Sequence, residues 1–93
     1  SVQSMYEARG IELDHVTKMV ELVTRTSRPI PEQLLLDFLN TIEGIQPNAT
    51  SHAVPEEWQN HWMNTYHLEA NQAQDLYKIA GRFAHLSDRN PSN

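Results

Sequence analysis

The sequence has no cysteine. That excludes a disulfide scaffold, a thiolate metal site and a cysteine nucleophile. A secreted domain of this size usually needs covalent staples, so a cytoplasmic setting is the expectation. Glycine is scarce, at three residues in 93, and no Gly-rich phosphate loop or GxSxG elbow is present. The longest apolar runs are three residues, such as Leu34-Leu35-Leu36. No segment is therefore expected to span or anchor in a membrane. Cations are missing from the whole stretch 29–67, which carries Glu32, Asp37, Glu43, Glu56 and Glu57 but no Lys or Arg. The flanking regions are balanced. The entire net charge of −5 therefore sits in the centre, making an acidic protein whose middle repels phosphate.

What is present reads as helix. Ninety-three residues with 39% hydrophobic side chains suit one core, and two Trp, three Tyr and two Phe supply its bulk. Leu13, Val16, Val20 and Val23 recur at three- and four-residue steps. Ahead of them Gly10 breaks the pattern, and Ser4 with Glu7 has capping-box spacing for a short N-terminal helix. Pro31 suits the first turn of the next helix, with Leu35, Phe38, Leu39 and Ile42 as its stripe and Gly44 as its stop. Pro55, Glu56 and Glu57 open a third long helix, along which Trp58, Trp62 and Tyr66 follow at four-residue steps. Leu76, Ile79, Phe83 and Leu86 form a three-four-three seam in the last, flanked by the small residues Ala73, Ala80, Gly81 and Ala84. A break between 64 and 71 separates the last two helices. No strand pattern competes. The expected architecture is a single all-α domain over residues 1–88. It is a small four-helix bundle, five-helix if the short N-terminal piece is counted, with a polar tail from residue 89 to 93.

Chemistry is sparser than architecture. Among the five histidines, His61 and Glu57 are four residues apart and could share a metal, but a single pair falls short of a metal set. No metal and no cofactor is expected, and no catalytic residues are assigned. Three histidines, His52, His61 and His67, fall in the cation-free centre, so solubility or self-association should respond to mildly acidic pH. Asn48-Ala49-Thr50 matches the glycosylation acceptor pattern, a short motif with meaning only in a secreted chain.

Two surfaces stand out. Trp58 and Trp62 beside Glu56 and Glu57 form a candidate partner anchor, since aromatic side chains dominate interface energetics. Lys78, Arg82, His85 and Arg89 recur at four-, three- and four-residue steps, a basic stripe opposite the apolar seam. Together they predict a non-enzymatic protein–protein interaction module: an adaptor, an inhibitor or an assembly subunit. Its partner is another protein, or a second copy in a homo-oligomer. The alternative is a small nucleic-acid-associated regulatory protein using the last helix as a dimer. A pI near 5.4 weighs against it.

Overall fold

The computed structural model describes residues 1–47 and 53–89, with side chains described through Leu86. Five helices and no strand occur among the described residues: α1 (Val2–Glu7), α2 (Leu13–Thr24), α3 (Glu32–Gly44), α4 (Glu56–Tyr66) and α5 (Ala70–Arg89). The Cα radius of gyration is 12.7 Å, against about 12 Å for one close-packed chain of this length. The molecule is a small all-α bundle.

Each helix begins and ends for a local reason. The cap of α1 is Ser1, whose Oγ accepts the Ser4 N–H at 3.1 Å. Ser4 therefore lies inside the helix rather than capping it. The chain leaves α1 through Gly10, at φ 72°, a left-handed conformation that costs glycine nothing. The amide of the buried Ile11 then returns to the Tyr6 carbonyl at 3.1 Å. So Gly10 is a stop signal between two helices. Pro31 and Pro55 occupy the N-cap positions of α3 and α4 in extended conformation, one residue earlier than the first-turn placement expected of them. Arg25 and His67 end α2 and α4, both in the left-handed region at φ 55°. Two ordinary side chains thus fill positions where glycine is usual. At the start of α5 the Gln72 side chain accepts the Glu69 N–H at 2.8 Å, the return half of a capping box.

The long helix α5 is the spine: α2, α3 and α4 all pack on it, while α1 lies against α2 and α3. Leu76, Ile79 and Phe83 are buried as the seam predicts, and so are Ala73, Ala80, Gly81 and Ala84. Leu86 is not; it is 54% exposed. The His15 ring meets Phe83 edge-on at 5.3 Å, near the start of α2. Leu86 lies one turn beyond that contact and is left uncovered among the described residues. The helix runs to Arg89, the first residue of the segment expected to be tail.

Aromatic rings meet at the centre of an otherwise aliphatic core. Trp58 stacks on Trp62 at 4.9 Å, Trp62 leans on Tyr66 at 4.8 Å, and Phe38 meets both Trp62 and Phe83 edge-on. The four-residue spacing along α4 brings these rings into one ladder, with Tyr77 of α5 closing it against Trp58. Tyr6 is fully buried, and its hydroxyl donates to the Leu35 carbonyl at 2.6 Å. That bond ties the short α1 to α3.

Candidate functional site

The two surfaces expected from the sequence fare differently. Trp62 is 1% exposed and is a core residue, so it cannot be offered to a partner. Trp58 is half-buried. Its indole N–H donates to Thr41 Oγ1 at 2.9 Å, and Thr41 in turn donates to the Asp37 carbonyl. With its ring stacked and its donor satisfied inside the protein, Trp58 is a wall of the core. The Trp58–Trp62 anchor is thereby corrected: the stripe that suggested it exists, but it faces inward. Glu56 and Glu57 are exposed in the first turn of α4, where carboxylates favour the positive end of the helix dipole.

The basic stripe is on the surface. Lys78, Arg82 and His85 are exposed on the side of α5 opposite Leu76 and Ala80. Neither Lys78 nor Arg82 has an ion pair among the described residues. His85 donates from Nδ1 to the Pro47 carbonyl at 3.2 Å, which pins the loop after α3 against this face. Arg89 is the last residue of α5, and its side chain lies outside the described set. Leu86, one turn beyond Arg82, adds an exposed apolar group to the same end. Asp75 flanks the stripe near its start.

Pairing across the bundle reshapes the acidic centre. Arg9, from the end of α1, forms an ion pair with Glu43. Asp37 accepts the Tyr66 hydroxyl on Oδ2 and lies 3.4 Å from His61 Nε2. The other ring nitrogen of His61 faces Thr65 Oγ1 at 3.3 Å. Burial, together with the neighbouring Asp37 carboxylate, pushes the Tyr66 phenol well above its ordinary range, so it remains a proton donor to Asp37. His61 is thus engaged with α3 rather than gathering carboxylates for a metal. No group of three metal-ligating side chains occurs among the described residues. Of the five central carboxylates, Glu32, Glu56 and Glu57 are left exposed without an ion pair among the described residues. His52 and the Asn48-Ala49-Thr50 motif lie outside the described residues.

One feature escaped the sequence altogether. A groove of about 450 Å³ opens where the loop between α2 and α3 meets the turn between α4 and α5. Leu34, Ile30 and Leu68 line its floor, Tyr66 forms a wall, and Arg28 and His67 are exposed there. Both loops are legible as breaks in periodicity. Their meeting is not, because 37 residues of chain separate Ile30 from His67. No described helix is long and apolar enough to cross a membrane. Comparison with protein families, with curated proteins and with solved structures finds no match to this chain.

Proposed function

We propose that the chain is a non-enzymatic interaction module that docks an acidic protein segment on the outward face of α5. The observation that carries this reading is the pair Lys78 and Arg82. They stand one turn apart, both exposed and without an ion pair among the described residues, in a chain of net charge −5. Where cations are scarce and Arg9 is committed to Glu43, two neighbouring unengaged ones form a local field opposite in sign to the whole. Such a patch orients a partner and speeds its encounter. Leu86 beside them supplies an apolar foothold. An amphipathic segment with carboxylates one turn apart would meet all three residues, the usual geometry of helix recognition. The docking role is that of an adaptor, an inhibitor or an assembly subunit. The His61–Asp37 pair does not argue for an enzyme, since a phenol occupies the carboxylate and His61 is exposed.

Fluorescence anisotropy with a labelled acidic amphipathic peptide tests the reading. Binding should weaken about tenfold or more in Lys78→Glu/Arg82→Glu. It should be unchanged in Glu32→Gln. A duplex DNA probe that binds better than the peptide, with a steep salt dependence, would replace this reading with the nucleic-acid one. A chain that instead binds its own acidic face would show a mass rising with concentration in sedimentation. The α5 double variant would abolish that rise.

A further inference from the structure

We infer that the groove between the 26–31 loop and the α4–α5 turn binds a small monocarboxylate carried on an aromatic or branched aliphatic body. Its volume of about 450 Å³ lies within the range of small-molecule sites. The floor of Leu34, Ile30 and Leu68 is apolar, so a bare inorganic anion would leave most of the contact surface unused. Tyr66 offers a ring whose position is set from behind, since its hydroxyl is bonded to Asp37. The charge of the lining is one-sided. Arg28 and His67 are its ionisable groups besides the Tyr66 phenol, and no carboxylate belongs to it.

Arg28 is exposed and has no ion pair among the described residues. Its planar guanidinium matches a carboxylate with two parallel hydrogen bonds. His67 is held by the turn itself, where the amides of His67 and Leu68 both bond to the Met63 carbonyl. Glu32 and Glu69, which follow Pro31 and Leu68 in the chain, do not belong to the lining. The lining holds one permanent cation, Arg28, which a single carboxylate neutralises, so a monoanion fits best. Two other cavities lack this polarity. One, of about 270 Å³, is bordered by Glu7, Glu12 and Asp14. Another, of about 340 Å³, sets Arg25 against Glu69 and Asp75.

Nuclear magnetic resonance titration of the whole chain with 3-phenylpropionate, and with 3-phenylpropanamide as its uncharged counterpart, decides the matter. The acid should shift the amides of Ile30, Tyr66, His67 and Leu68, and the amide should bind about tenfold more weakly. Arg28→Gln should weaken the acid about tenfold. His67→Asn should weaken it too while keeping the turn, because Asn tolerates the left-handed conformation. Lys78→Gln should leave it unchanged, which separates this site from the α5 face. Equal binding of acid and amide, shifts confined to α5, or no shift at about 10 mM acid would each overturn the inference. So would tighter binding of a capped peptide ending in a free Phe carboxylate, since the ligand would then be a protein C-terminus.

Discussion

Tyr6 and Trp62 carry more of the fold than any charged residue. The Tyr6 phenol is fully buried with a bond to a main-chain carbonyl of another helix. Tyr6→Phe keeps the ring but leaves the Leu35 carbonyl without that donor. It should cost about 1–2 kcal/mol in urea denaturation. Trp62→Ala removes the centre of the aromatic ladder and should cost about 3–5 kcal/mol. Trp58→Ala should cost clearly less, since Trp58 already meets solvent on one side. Periodicity placed both tryptophans on one stripe of α4. It could not say which of the two the bundle would cover, because that depends on Phe38 reaching Trp62 from α3.

At the level of elements, apolar spacing predicted every long helix and the break at Gly10. What it missed were contacts that require knowing a neighbour. The seam residue Leu86 has the right period but is exposed among the described residues, and Ser4 has the right capping spacing but lies one turn inside its helix. The helix ends at Arg25 and His67 carried no glycine to announce them. Each side chain holds a left-handed conformation that costs roughly 1 kcal/mol or more. Arg25→Gly and His67→Gly should therefore each raise the midpoint of thermal unfolding, by about 1 kcal/mol of stability less glycine's extra unfolded-state entropy. The Arg9–Glu43 pair joins α1 to α3 at the surface, with both side chains partly exposed. Glu43→Gln should cost under about 1 kcal/mol, and less still in high salt.

For the molecule as a whole, the charge layout read along the chain stands, and folding adds partners that the linear order does not show. The cation-free centre receives Arg9 from outside its own stretch, and Asp37 is engaged by Tyr66 and His61. Lys78, Arg82 and His85 are exposed at the four- and three-residue steps read from the sequence, because such steps need no partner to define a face. Alkaline pH offers a test of the tertiary structure. Tyr6 and Tyr66 are both raised above the ordinary phenol value of 10.0, Tyr6 by burial and Tyr66 by burial and Asp37. The native state therefore holds these protons more tightly than the unfolded chain does. Their stabilisation is complete below about pH 10 and is lost as pH rises beyond it. Urea midpoints measured at about pH 8 and about pH 11 should fall, and Tyr6→Phe should fall less steeply.

The attachment of α1 has one more consequence. A helix of six residues has no stability by itself, so it stays in place through one phenol, one ion pair and the turn at Gly10. Cleavage by a protease in that turn would cut α1 loose from the rest of the bundle. The severed molecule would bare the core surface that Tyr6 covers, and the clipped product should clump more readily than the intact chain.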